Sequence, residues 1–355
     1  MKVITYFMNV DWNWIKQRPH FIAERISKLS QLNIVYQYRY GRHNLQKRDS
    51  SELKLMPIYV IPKFSGIKYL KEINNNILSI VGKILVKKNK SNIIFATYPT
   101  HIEMIPEDYS GNIYYDCMDN HLAFIQDEKE RKKLEVQEKK LIEKANKIFV
   151  SSEYLKNTIS KRYQINQEKI VLVRNAYDGQ IIEPQEVSID QSVIKLAYFG
   201  TISSWYDFDT VLDVIQKKDN VEFHLYGPID KVEIPKNQKI IYHGVIEHDK
   251  LYETVKNMDG LIMPFILNDI IEAVDPVKVY EYINFNKNII LREYSEVERL
   301  KDFVFFYNDS SEFLDAVLAI ETSRTVKYNQ DQRLKFLQEN TWDKRVEQIR
   351  EAMGL

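Results

Sequence analysis

The chain has 355 residues, too many for one ordinary core, so two domains are expected. Its 50 basic and 50 acidic residues cancel, which argues against a partner chosen by bulk charge, nucleic acid above all. A single cysteine, Cys117, excludes an intrachain disulfide and a cysteine zinc site, and fits a reducing compartment.

The first residues, "MKVITYFMNV", carry a short apolar run broken by Asn9 and Asp11, unlike a signal peptide. No stretch approaches the ~20 apolar residues of a membrane span. A cytoplasmic protein is expected. Strands are predicted at 3–8, 33–38, 93–97, 113–117, 147–151 and 170–175, then at 194–200, 221–227, 240–244, 260–265, 288–293 and 303–308. Continuous apolar runs of this length suit strands buried on both faces, hence parallel sheets. Helical patterns between them, such as "PHFIAERISKLS" and "FDTVLDVIQKK", suit crossovers. The expected fold is α/β, with two Rossmann-like domains whose parallel sheets face a cleft. Residues 1–178 form the first domain, 179–192 a polar linker, and 193–336 the second. A final helix in 337–355 crosses back to the first. Ligands in such sheets bind beyond the carboxyl ends of the strands.

The segment 67–91 places apolar residues at helical spacing among Lys68, Lys71, Lys83, Lys87, Lys88 and Lys90. It reads either as a basic amphipathic helix lying peripherally on anionic lipid or as a surface helix with a solvated basic face. The stretch "DPVKVYEYINFNKNII" (275–290) reads as a short helix running into a buried strand. Asp275 suits an N-cap, Pro276 the first helical position, and Asn286 a left-handed end. Its helix start would offer free N–H groups to a phosphate, Lys278 a full charge, and Glu281 a carboxylate for ribose hydroxyls. An i,i+3 ion pair on a solvated helix is the alternative.

That stretch resembles the nucleotide-sugar motif of GT-B glycosyltransferases, especially the retaining family 4, where P-x-K-x-x-E-Y precedes a small loop and a strand. The resemblance puts the donor diphosphate at Lys278 and the amides around Val277, and the ribose at Glu281. "AYFGTISSWYDFDTVL" is similar to the family's first donor-domain strand and loop, where Gly200 and Thr201 would let backbone approach the diphosphate. "IIYHGVIEHDKLYETV" resembles the segment that encloses the base, with backbone near Gly244 and Val245 reading it. The family often has a second glutamate separated from this one by seven residues; counted back from Glu281, that position is Ala273. The loop "GTISSWYDFD" has neither the Arg nor the Lys of many members, which leaves the phosphate charge to Lys278.

"DWNWIKQRPHFIAERIS" (11–27) resembles bacterial transferases of teichuronic-acid and capsule-like pathways. Gln17 and Arg18 precede Pro19 at the expected start of the first helix. Arg18 would bind a phosphate or an acidic acceptor, or form a structural salt bridge. Trp12 and Trp14 would stack on a sugar ring or be buried. In "IYYDCMDNHLAF", Asp116 and Asp119 would order a sugar hydroxyl or act as a base, or cap the next helix. His121 holds about the place where family members contact the donor sugar. The resemblance implies a glycosyltransferase that uses a nucleoside diphosphate sugar, expected to be a UDP-sugar, and an acceptor that is a glycan or lipid-linked. It implies no cofactor and no metal, because helix dipole and basic residues support the leaving diphosphate. A non-catalytic partner subunit, an epimerase and an inverting transferase are the other readings.

Overall fold

The runs Ile93–Ala96 and Gly260–Met263 have no polar side chain to offer to solvent, and every residue in both is buried. Each lies inside a parallel sheet, where continuous apolar strands belong. These elements come from a computed structural model that describes residues 2–14, 16–40, 52–62, 68–185, 192–247 and 250–355. Residues 186–191 of the expected linker and Ile67 of the basic segment lie outside the described residues.

The chain divides into two compact units. The first, Met1–Asn175 with Trp342–Leu355, holds β1 (Val3–Met8), α1 (Arg18–Ser27), β2 (Gln31–Gln37), β3 (Lys54–Ile58), α2 (Lys68–Lys88), β4 (Ile93–Ala96), β5 (Asn112–Cys117), α3 (Glu128–Lys144), β6 (Lys147–Val150), α4 (Glu153–Tyr163) and β7 (Ile170–Leu172). Its seven strands are parallel in the order β3-β2-β1-β4-β5-β6-β7. Stacked rings of Tyr6, Phe95 and Phe149 run through this core, at 5.0 and 5.7 Å between centroids.

The second unit, Ala176–Thr341, holds β8 (Ile194–Phe199), α5 (Phe208–Lys217), β9 (Val221–Tyr226), β10 (Ile240–Tyr242), α6 (Leu251–Val255), β11 (Gly260–Met263), α7 (Val277–Asn284), β12 (Asn288–Arg292), β13 (Phe305–Tyr307), α8 (Ser310–Ser323) and α9 (Gln330–Glu339). Its six parallel strands are ordered β10-β9-β8-β11-β12-β13, which reverses direction between β8 and β11. Such a reversal is where ligands bind in open α/β sheets.

Two elements depart from the sequence reading. The edge strand β3 is not among the expected strands; it contains Pro57, which an edge tolerates where a central strand does not. The final segment is two helices. α9 stays in the second unit, and α10 (Trp342–Met353) returns to the first. There the Trp342 ring is wholly buried and stacks on Phe21 of α1 at 5.0 Å. Trp342 is a packing residue.

Candidate active site

In the second unit the carboxyl end of β8 leads straight into Gly200, whose φ of +144° is open to glycine but strained for other residues. A Cβ there would lie 2.8 Å from Lys278 Nζ and 3.0 Å from the Tyr198 hydroxyl. Lys278 thus lies across the backbone of Gly200, 78 residues away in sequence. Gly227, at the end of β9, also has positive φ and packs its α-carbon against the Gly200 carbonyl. Gly200 N–H donates to the Tyr226 carbonyl at 2.9 Å, and Gly227 N–H to the Gly244 carbonyl at 2.8 Å. Three strand ends are therefore joined main chain to main chain. Thr201 follows, its carbonyl accepting from the Tyr198 hydroxyl at 2.9 Å. Val245, beyond Gly244, is 71% exposed.

The helix α7 begins at Val277, one residue later than expected, and its cap is Pro276. Asp275 is not the cap. Its wholly buried carboxylate accepts from Arg299 at 2.5 Å and from the Tyr280 hydroxyl at 3.1 Å. A buried carboxylate needs such partners, and the guanidinium outcompetes a neighbouring amide. The helix start is thereby left open. Among the described residues the N–H groups of Val277 and Lys278 donate to no protein acceptor. Lys278 is half-buried, and its ammonium forms no salt bridge or hydrogen bond among the described residues. Burial lowers its pKa, and the nearby Glu281 carboxylate pulls the other way. At the far end of α7 the carbonyls of Ile283 and Asn284 accept from the buried Arg333 guanidinium, at 3.1 and 2.5 Å. A cation there complements the helix dipole and leaves the positive end at Lys278. Asn286 takes the left-handed conformation expected of it, at φ +53°.

Glu281 is half-buried, one turn beyond Lys278. Lys278, Glu281, Val277, Gly200 and Thr201 thus belong to one corner of the second unit. Gly227 joins them and was not singled out in the sequence, although it ends a strand as Gly200 does. That repetition was the available signal. Ala273, the position separated from Glu281 by seven residues, is buried and presents no carboxylate.

In the first unit, Arg18 and Asp116 are turned to each other rather than to a ligand. Asp116 has no exposed surface and Arg18 is 5% exposed. Arg18 Nη2 meets Asp116 Oδ1 at 2.8 Å, its Nε lies 3.0 Å from Oδ2, and Nη1 donates to the Val173 carbonyl at 2.7 Å. The pair is a buried tie between the start of α1, the end of β5 and the segment after β7. It supports neither an anion-binding role for Arg18 nor a base role for Asp116. Trp12 is 1% exposed, with its ring 5.2 Å from that of His20, so it is a packing residue and not a sugar platform. Trp14 is half-buried. Gln17 caps α1, its own N–H donating to His20 Nδ1 at 3.2 Å.

Asp119 and His121 lie beyond β5. Burial raises the Asp119 pKa to about 6, a shift that Arg18 opposes and Asp116 reinforces. Burial lowers His121 to about 4, so its imidazole is neutral at pH 7. Its Nε2 is buried and without a hydrogen-bond partner among the described residues, and its ring meets Tyr98 edge-on at 4.8 Å. Neighbouring His101, buried beside Tyr98, is lowered to about 3. Tyr98 and His101 come from "ATYPTH", just past β4, and were not singled out. Their signal was position alone, at a strand's carboxyl end. Among the described residues no cluster of three or more His, Cys, Asp or Glu side chains is arranged to hold a metal.

Two parallel sheets of this order, with the last helix returning to the first unit, define the GT-B fold of glycosyltransferases. No family model matches the chain. Over 267 residues it is 22% identical to the teichuronic acid biosynthesis glycosyltransferase TuaH of Bacillus subtilis (strain 168), covering 68% of this chain and 67% of that one. Among solved structures it is similar to sucrose-phosphate synthase from Thermosynechococcus elongatus, with a TM-score of 0.77 and 11% identity over 100% of this chain and 98% of that one. Anabaena HepE, solved with UDP and glucose, gives a TM-score of 0.70 and 12% identity over 99% of both chains.

Proposed function

We propose that the protein is a glycosyltransferase that takes a sugar from a UDP-sugar and passes it to a hydroxyl of a bacterial surface glycan or its lipid-linked precursor. One observation carries this reading: the uncapped start of α7, with the unpaired Lys278 ammonium lying over Gly200. Open N–H groups, a helix dipole and a cation in a half-buried corner suit a diphosphate. As the glycosidic bond to the leaving phosphate breaks, negative charge grows on the diphosphate. Lys278 and the Val277 and Lys278 amides would hold that charge, and Glu281 would fix the ribose. The UDP found with HepE and the name of TuaH support the donor and acceptor classes. Metal independence, retention at the anomeric carbon, and work on the cytoplasmic side are parts of the same proposal. They rest on the motif resemblance.

Thermal melting with UDP, GDP, ADP and CMP tests it, on wild type and Glu281→Ala. A bound nucleotide raises the melting temperature by mass action. UDP should stabilise wild type most, and the variant should lose that gain. If none of the four moves the transition at millimolar concentration, the donor site is not where we place it.

A further inference from the structure

The outer side of α2 carries an apolar stripe beside exposed Lys71, Glu72, Asn75 and Asn76, which sequence spacing alone did not decide. Tyr69, Ile73, Ile77, Ile80 and Ile84 recur every three or four residues and so share one face of the 21-residue helix. The opposite face is the packed one. Val86 is buried there, and a Cβ on Gly82 would lie 2.6 Å from Met104 Cβ. Tyr69, Ile80 and Ile84 are 71%, 59% and 56% exposed. A helix merely solvated on its outside would carry polar residues at these positions. Lysines rim the stripe instead: Lys83, Lys87 and Lys88, with Lys90 just past the helix end. Lys87 is paired with the exposed Asp108 at 3.0 Å, whereas Lys83, Lys88 and Lys90 form no salt bridge among the described residues. Glu72 is the one acid on α2.

An apolar stripe with a basic rim matches the boundary between headgroups and acyl chains of an anionic bilayer. A second copy would be a poorer occupant, because it would bring two sets of lysines together. We infer that α2 docks the protein on an anionic phospholipid surface, with Tyr69, Ile80 and Ile84 entering the acyl boundary and Lys83, Lys87 and Lys88 at the phosphates. This goes beyond the donor reading and does not depend on it.

The test is co-sedimentation of the full chain with phosphatidylcholine vesicles, with and without phosphatidylglycerol. Wild type should bind the anionic vesicles and leave the neutral ones. The double variant Ile80→Asn/Ile84→Asn should lose about tenfold or more in partition. Lys83→Gln/Lys87→Gln/Lys88→Gln should bind less and lose its salt dependence. Ile84→Trp should bind more tightly, and it carries the test if the asparagine variant fails to fold. No binding by wild type overturns the inference, as does unchanged binding by the asparagine variant or no gain for Ile84→Trp. So does a lipid-free dimer in sedimentation velocity that Ile80→Asn/Ile84→Asn dissolves, which would make the stripe a self-contact.

Discussion

Replacing Lys278 by methionine keeps the length of the side chain and removes its charge. Two consequences of opposite sign should follow. A unit charge about 4 Å from another is worth about 4 kcal/mol at an effective dielectric constant near 20. Lys278 is only half-buried, so the smaller figure for a charge-assisted hydrogen bond, about 2 kcal/mol, is the better guide. UDP should therefore bind roughly thirtyfold more weakly to Lys278→Met. The free protein, however, should melt no lower and preferably higher, because burial disfavours this ammonium in the absence of an anion. The pH dependence has a definite sign. Since the folded-state pKa is lowered, the folded protein sheds this proton first as pH rises. Free-protein stability should then rise with pH between that lowered value and the ordinary lysine range near ~10.4. UDP affinity should fall over the same climb, as the charge that holds the phosphates is lost. Isothermal titration calorimetry of UDP at several pH values, with melting curves alongside, measures both. If the methionine variant binds UDP within twofold of wild type, or has a flat stability but a normal affinity slope, Lys278 does not hold the diphosphate.

Two further outcomes concern the first unit. Arg18→Met should destabilise by about 3–5 kcal/mol, because it strands the buried Asp116 carboxylate, while Arg18→Met/Asp116→Leu should cost much less than the sum of the single changes. Urea denaturation of the four proteins checks this, and a single-variant cost below about 1 kcal/mol would refute the tie. Asp119 holds its proton up to about pH 6 in the folded state, so it contributes stability in acid that is lost as pH rises from about 4 to 6. His101 and His121, lowered to about 3 and 4, act in the reverse direction and lose stability on acidification. Asp119→Asn should therefore steepen the loss of stability below pH 6, read by chemical denaturation across that range; an unchanged slope would mean that Asp119 is ionised throughout.

Much of the architecture was readable because its strands are buried on both sides. "GLIM" and "IIFA" admit few other placements, and the alternation with helical periods implied parallel sheets. What spacing could not show were the partners chosen across long separations. Asp275 before Pro276 has the look of a helix cap, but Arg299 and Tyr280 claim its carboxylate from 24 and 5 residues away. Arg18 beside Pro19 looked available to an anion, yet its partner Asp116 stands 98 residues on. Gly200 and Lys278 were each visible, but their contact was not, since it depends on how two strand ends and a helix meet in space. Trp12 shows a related limit. An aromatic near a strand end can serve a ligand or a core, and only packing distinguishes them.

The corner formed by Gly200, Gly227 and Gly244 is made of main chain, and that has a consequence for how the protein could change. Its bonding groups are amides and carbonyls that every residue possesses, so surrounding side chains can be exchanged without altering them. The three positions themselves are intolerant at Gly200 and Gly227, where a single methyl group would collide with Lys278 or with backbone. A corner whose bonds are made by main chain is a favourable starting point for redesign. Under the proposed function, libraries that vary residues 266–274, which join β11 to α7, while keeping the glycines and Lys278 would test whether donor preference can change with UDP binding retained.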